Sequence, residues 1–208
     1  MLFRSGVYYP AAVAYGNGTW VVADNRYDAQ DYVGFLVSKD DGVTWEIVKN
    51  ALAWGVPTGM AYADGKFVLV GDRGMIATST NGRTWKTATL SPDATTKDGL
   101  LRGPVYAQGR WIAVTSVGSA FFSTNASYWE FLPSWLVGGD DGSPYNFNGL
   151  TYGNGFFAAA GLQGSLWTSQ QGKAWGKRTW TDAGTNFTDV AFGNGRFVAI
   201  GSTFAVSK

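Results

Sequence analysis

Five stretches of this sequence can be laid on one another: VAYGNGTWVVA (13–23), MAYADGKFVLV (60–70), VYAQGRWIAV (105–114), LTYGNGFFAAA (150–160) and VAFGNGRFVAI (190–200). Their turn glycines, Gly18, Gly65, Gly109, Gly155 and Gly195, are separated by 47, 44, 46 and 40 residues. Self-similarity at such a period constrains the fold more than any other feature, because one repeat of that size cannot bury its apolar face alone and must stack on its neighbours. Each stretch reads as a β-hairpin. An apolar strand ends on an aromatic residue (Tyr15, Tyr62, Tyr106, Tyr152, Phe192), and a second strand opens on another (Trp20, Phe67, Trp111, Phe157, Phe197). Between them lies Asn-Gly, Asp-Gly or Gln-Gly, the pairs suited to turns with positive φ.

A third strand follows in each repeat: GFLVS (34–38), MIATS (75–79), AFFS (120–123), SLWTS (165–169) and FAVS (204–207). In four repeats a turn and a fourth strand come next, marked by Trp45, Trp85, Trp129 and Trp175 at steps of 40, 44 and 46. Strand runs bounded by Gly, Asn, Asp and Ser, with no segment of helical periodicity, make the chain all-β. Four strands in about 45 residues is the size of a propeller blade. The expected architecture is a single five-bladed β-propeller of four-stranded antiparallel blades, at approximately 7–49, 50–90, 91–134, 135–180 and 181–208. The fifth repeat stops after its third strand at Lys208, and residues 1–6 (MLFRSG) form an unassigned strand-like piece. Placing that piece as the outer strand of the fifth blade closes the ring and removes an open sheet edge.

Composition narrows the function. Sixteen basic and 15 acidic residues leave a formal charge of +1 with no basic stripe, so the electrostatic footprint of a nucleic-acid binder is missing. The chain has neither Cys nor His, which excludes disulfides, thiolate chemistry, the usual zinc sites and any His-dependent triad. No cofactor or metal site is expected. The first residues lack the apolar core of a signal peptide, and no run approaches the length of a membrane span. Asn17, Asn125 and Asn186 sit in glycosylation sequons that, without a secretory signal, read as chance. Acidic pairs such as Asp140-Asp141, and Asp24, Asp28 and Asp31 in DNRYDAQDY, read as solvated loops; the latter does not have the spacing of an EF-hand.

The turn Ser38-Lys39-Asp40-Asp41-Gly42-Val43-Thr44-Trp45 resembles the Asp-box, S-x-D-x-G-x-T-W, of the BNR or Asp-box propeller family. Ser79-Thr80-Asn81-Gly82-Arg83-Thr84-Trp85, Ser123-Thr124-Asn125-Ala126-Ser127-Tyr128-Trp129 and Ser169-Gln170-Gln171-Gly172-Lys173-Ala174-Trp175 are decayed copies. The resemblance implies that the box is structural, with its Trp packed between blades. It does not extend to the sialidases of that family, whose sites use three arginines, a Tyr–Glu pair and an acidic general acid. Of the eight arginines here, Arg83, Arg110, Arg178 and Arg196 belong by position to the box face or the rim. No catalytic site is therefore expected. Short degenerate repeats of this kind resemble those of bacteriophage tail and virion proteins. That likeness implies a structural or adhesive role in a phage particle (tail or capsid surface), with assembly in the host cytoplasm and other virion proteins or a cell-surface glycan as partners. A free-standing carbohydrate-binding lectin is the alternative, and a sialidase-like glycosidase comes third. Self-association is left open.

On a rigid repeat, binding is carried by the loops that vary. Here those run from outer to inner strands and from second to third strands. They place Trp54, Trp135, Tyr145, Asp141, Tyr27 and Tyr32 as the candidate ligand or partner residues, since aromatic faces beside Asp and Asn suit sugar rings or a protein hot spot.

Overall fold

The computed structural model describes residues 9–24, 32–53, 55–94, 99–133, 146–178 and 184–207. These form twenty strands in five sheets, and the described residues contain no helix. The first sheet holds β1 (Pro10–Gly16), β2 (Thr19–Asp24), β3 (Tyr32–Ser38) and β4 (Glu46–Ala53) in that order. The second holds β5 (Pro57–Ala63), β6 (Lys66–Gly71), β7 (Ile76–Ser79) and β8 (Lys86–Thr87). A two-residue strand, β9 (Thr89–Leu90), then crosses to the outer edge of the third sheet, which is built from β10 (Leu101–Ala107), β11 (Arg110–Thr115), β12 (Ala120–Ser123) and β13 (Tyr128–Leu132). The fourth sheet has β14 (Phe147–Gly153), β15 (Phe156–Gly161), β16 (Leu166–Ser169) and β17 (Gly176–Arg178), and the fifth has β18 (Phe187–Gly193), β19 (Arg196–Gly201) and β20 (Phe204–Val206).

The hairpin turns follow from their residue types. Asn17-Gly18, Asp64-Gly65, Gln108-Gly109, Asn154-Gly155 and Asn194-Gly195 all have positive φ at both positions, from 47° to 82°. That is the backbone of a two-residue turn whose twist matches the flanking strands. The registers that follow are the same in every sheet: Tyr15 opposite Trp20, Tyr62 opposite Phe67, Tyr106 opposite Trp111, Tyr152 opposite Phe157 and Phe192 opposite Phe197.

Sheet composition departs from the expected uniform four strands. The outer strand expected at Trp85 is short, and the chain beyond it serves the next sheet. Lys86–Thr87 stays with Ala77 and Thr78, whereas Thr89–Leu90 pairs parallel with Tyr128–Trp129. The amides of Thr89 and Ser91 donate to the Ser127 and Trp129 carbonyls at 2.8 and 2.9 Å, so the third sheet gains a fifth strand and its outer edge is covered. The fifth sheet has three described strands.

Inner strands of successive sheets lie against one another in the order β1, β5, β10, β14, β18, and no comparable packing joins β18 to β1. Each sheet thus has a front face toward the preceding sheet and a back face toward the next. Between the first two sheets, Phe35 and Val37 on the back of one meet Met60, Tyr62, Leu69 and Trp85 on the front of the other. The third and fourth sheets repeat the arrangement with Ile112, Val114 and Ala120 against Leu150, Tyr152, Ala159 and Trp175. Some glycines exist for this approach: a Cβ on Gly16 would lie 1.9 Å from the Tyr62 ring, and one on Gly153 would lie 2.1 Å from the ring of Phe192. The described residues form an all-β, propeller-like stack of five sheets. Residues 1–6, assigned by the sequence to ring closure, lie outside the described residues.

Candidate functional site

The box turns are built locally, and their geometry is shared. In the first, the Ser38 hydroxyl accepts from the Gly42 amide at 2.9 Å and donates to Asp40 Oδ1 at 2.8 Å. Asp40 in turn accepts from the Thr44 hydroxyl at 2.6 Å and the Thr44 amide at 2.8 Å. Those hydrogen bonds, the one from the Thr44 side chain foremost, hold the Asp40 carboxyl down at about 2. Asn81 and Asn125 do the same work without charge: each Oδ1 accepts from two backbone amides at 2.8 to 2.9 Å. In all four boxes the indole N–H of the Trp donates back into the turn, to the carbonyl of Gly42, Gly82, Ala126 or Gly172, at 2.9 to 3.1 Å.

That bond points each box Trp along the front of its sheet, where the preceding sheet receives it. Trp85 stacks on Phe35 with ring centroids 4.5 Å apart and planes 9° from parallel. Trp129 is fully buried against the second sheet, and Trp175 packs with the back of the third. Among the described residues no sheet precedes that of Trp45, which is half-buried. The box also presses a small residue onto the neighbour: a Cβ on Gly82 would reach Val21 at 2.5 Å, and one on Gly172 would reach Ile112 at 2.1 Å.

The seam between the fourth and fifth sheets differs. A groove of about 650 Å³ opens there, walled by Ala158, Leu166 and Arg178 on the back of the fourth sheet and Val190, Ala199 and Ala205 on the front of the fifth. Asn154 and Ser207 stand at its mouth. By register Ala158 occupies the position of Val21, Val68 and Ile112, the residues that box turns cover elsewhere. Ser207 occupies the position of Ser38, Ser79, Ser123 and Ser169, with its hydroxyl accepting from the Phe197 amide at 2.9 Å. Among the described residues the polar groups are sparse: Arg178 Nε donates to the Thr168 hydroxyl at 2.7 Å, Asn154 Nδ2 donates to the Gly195 carbonyl at 2.9 Å, and no described carboxylate lines the walls. Such a surface can take up an apolar group by shape and dispersion.

The two ends of the stack are the other unusual surfaces. On the front of the first sheet Val13 is 54% and Tyr15 49% exposed, and on the back of the fifth Ile200 is 51% and Phe204 66% exposed. Phe35 and Ile76, which hold the Phe204 register position in the first two sheets, are buried. Gly193 is the counterpart of Gly16 and Gly153, yet a Cβ there would meet nothing within 4 Å.

Of the residues that the sequence nominates, Trp54, Trp135, Tyr145, Asp141 and Tyr27 lie outside the described residues. Tyr32 opens β3 opposite Ala53, and its side chain lies outside the described part. Asp24, weighed as part of an acidic loop, is buried and accepts from the Tyr9 amide at 2.6 Å, a structural tie. Among the described residues no cluster of acidic residues could hold a metal ion, and no helix is long and apolar enough to cross a membrane. Of the four arginines placed on the box face or rim, Arg83 pairs with Glu46 at 2.5 Å and Arg110 reaches the Gln171 carbonyl at 3.3 Å. Arg178 lies instead along the groove. The groove escaped the sequence reading. A signal for it lies in Ala158, at the register position where the other repeats carry Val21, Val68, Ile112 and Val198.

No family model and no curated protein matches the sequence. Among solved structures the chain is similar to YCF48 bound to a D1 peptide, with a TM-score of 0.63 at 14% identity over 98% of this chain and 69% of that one. It is also similar to the computationally designed Ika8 protein (TM-score 0.66, 12% identity, 95% of this chain and 57% of that one) and to YCF48 from Cyanidioschyzon merolae (0.50, 14%, 98% and 83%). This chain therefore spans little more than half of the designed protein. At these identities the likeness is one of fold, and the fold is β-propeller-like.

Proposed function

We propose that this chain is a non-catalytic structural or adhesive component of a bacteriophage particle, held to other virion proteins, or to a cell-surface glycan, by contact. The observation that supports the contact reading is the groove between the fourth and fifth sheets, a largely apolar surface whose described walls carry one guanidinium and no carboxylate. The phage assignment rests on the resemblance of the repeats. It is tested by probing gradient-purified phage particles, from the lysate in which the chain is made, with an antibody to the chain. Co-sedimentation with particles is expected. Binding to a glycan array without particle association would make the chain a free-standing lectin, and hydrolysis of a sialoside would overturn the non-catalytic reading.

The finer architecture proposed with it is a five-bladed ring closed within one chain, residues 1–6 serving as the outer strand of the fifth blade. The two ends support this because they are complementary halves of a seam. Tyr15 is the counterpart of Tyr62 and Phe192, which sit on Gly16 and Gly153, and Gly193 offers the same bare backbone. Closure also covers Val13, Ile200 and Phe204. Deleting residues 1–6 should cause aggregation or a large fall in melting temperature; unchanged melting would show that the ring is not closed through them.

A further inference from the structure

Hairpin turn and box turn lie at one end of each sheet that has both, because the second strand begins opposite the serine that opens the box: Trp20 with Ser38, Phe67 with Ser79, Trp111 with Ser123 and Phe157 with Ser169. All of these turns are described, and their charges divide that end of the molecule in two. In the first two sheets Lys39, Lys66 and Arg83 stand against Asp40, Asp41 and Asp64, so the turns are neutral. In the third, fourth and fifth sheets the turns carry Arg110, Lys173 and Arg196 and no carboxylate.

The positive half centres on the seam between the third and fourth sheets. There Phe122 gathers two cations, with Lys173 Nζ 4.5 Å and Arg110 Cζ 5.9 Å from its ring centroid. The two are satisfied differently. Lys173 donates to Glu130 at 2.6 Å. Arg110 donates from Nε to the Gln108 carbonyl at 3.2 Å and from Nη1 to the Gln171 carbonyl at 3.3 Å, and among the described residues no carboxylate pairs with it. The second hairpin supplies the contrast. Lys66 holds the position of Arg110, and Asp64 accepts from it at 3.3 Å. In the third hairpin Gln108 stands where that aspartate would be and gives its amide to the Tyr152 hydroxyl at 2.6 Å. The third hairpin therefore keeps the cation, anchors it across the seam by carbonyls, and lacks the counterion. A guanidinium fixed in this way, with further N–H donors unused, is preorganised for the two oxygens of a carboxylate.

We infer that the box end of the seam between the third and fourth sheets is a docking surface for an acidic segment of a partner polypeptide, whose Asp or Glu carboxylate pairs with Arg110. The inference rests on the contact reading above and adds a surface separate from the groove. Charge complementarity selects the partner. Glu130 on Lys173 shows one carboxylate already seated at this pair of cations, and Arg110 is the place for a second. The exposed amides of Gln170 and Gln171, on the box turn that receives Arg110, suit the peptide groups of such a segment. A phosphate backbone would need a row of cations, and the excess here is confined to one seam and the Arg196 hairpin.

The probe is a fluorescein-labelled oligoglutamate peptide, titrated with the full chain by fluorescence anisotropy at low salt. An oligoglutamine peptide of equal length, an oligothymidine DNA and a glucuronate oligosaccharide carry the same label. Saturable binding of the glutamate peptide is expected, weakening as salt rises. Arg110→Gln should lower the affinity roughly tenfold. Gln108→Asp should do the same with the cation left in place, because it restores the counterion that Asp64 gives Lys66. The turn accepts that residue, since φ is 49° at Asp64 and 52° at Gln108. Arg83→Gln, in the neutral half, should leave the affinity nearly unchanged. Melting curves show that each variant is folded, and if Arg110→Gln is not, Gln108→Asp carries the test. Absence of saturable binding, equal affinity for the two peptides, affinity unmoved by Gln108→Asp, or an equal loss at Arg83→Gln would overturn the inference. So would tighter binding of the DNA or the glucuronate probe, which would give the surface to another class of ligand. Particle association is measured separately, so its failure leaves this result readable.

Discussion

The first and third box turns make an instructive pair. The first, Ser38 to Trp45, matches the S-x-D-x-G-x-T-W pattern in full, and the third, Ser123 to Trp129, has lost Asp, Gly and Thr. Yet Trp129 is fully buried and Trp45 is only half-buried. Both indoles donate into their own turn, at 3.0 and 2.9 Å, so the local geometry is equivalent. What differs is the neighbour: the second sheet lies in front of Trp129, and no described sheet lies in front of Trp45. Motif quality therefore reports the turn, whereas stability follows from the seam that the tryptophan enters.

The comparison breaks most visibly at the tryptophans themselves. Trp129→Ala should cost about 3 to 5 kcal/mol, as deletion of a buried aromatic does, with Trp85→Ala and Trp175→Ala in the same range. Chemical denaturation of each variant checks this. If any of the three melts like the parent chain, the box tryptophans are not the packing elements described here. A smaller effect separates the turns: Asn125→Ala removes the acceptor for two exposed backbone amides and should cost about 0.5 to 1.5 kcal/mol. Its replacement by Asp should be far milder. Trp45→Ala should cost about 1 kcal/mol or less in the open stack, because much of the ring already meets water. A loss equal to that at Trp129 would mean that a sheet covers Trp45 in solution, which is the outcome ring closure predicts.

The smallest effect is a pH dependence unique to the first box. Asp40 is held at about 2, below its ordinary 3.8, so its contribution is present above the ordinary value and is lost as pH falls toward 2. The neutral Asn81 and Asn125 have no such dependence. Asp40→Asn should flatten acid sensitivity that originates in this turn. Comparing melting temperatures of parent and variant between pH 5 and 2 (roughly the window that the linkage argument defines) checks the sign. A variant that loses as much stability on acidification as the parent would remove Asp40 from the account.

Most of the fold was legible because its signals are local. A two-residue turn with Asn-Gly or Gln-Gly sets the hairpin register, and the aromatic pairs flanking it follow at fixed offsets, as Tyr106 and Trp111 do. The box serine and its asparagine or aspartate find their partners within four residues. Harder to read was the crossing after Ala88, where the chain leaves the outer edge of the second sheet for that of the third. That choice depends on the Ser127 and Trp129 carbonyls, some 40 residues away in sequence, being within reach. The candidate loop residues, Trp54 and Trp135 among them, were chosen by chemistry and variability, and nothing local to those loops says what they meet.

The sequence by itself determined the repeat, the strand order within each sheet and the turn chemistry, since those depend on contacts between residues close along the chain. Only the tertiary structure decided which faces are left uncovered. Ala158 and Ala205 look like ordinary small core residues in the repeat alignment; they become groove walls because of what packs, or does not pack, across the seam. Tyr15 and Tyr62 are equivalent in sequence, yet one ring is about half-exposed and the other sits on Gly16. A repeat specifies how each unit meets the next, but the fate of its first and last faces is a long-range property that no single unit encodes.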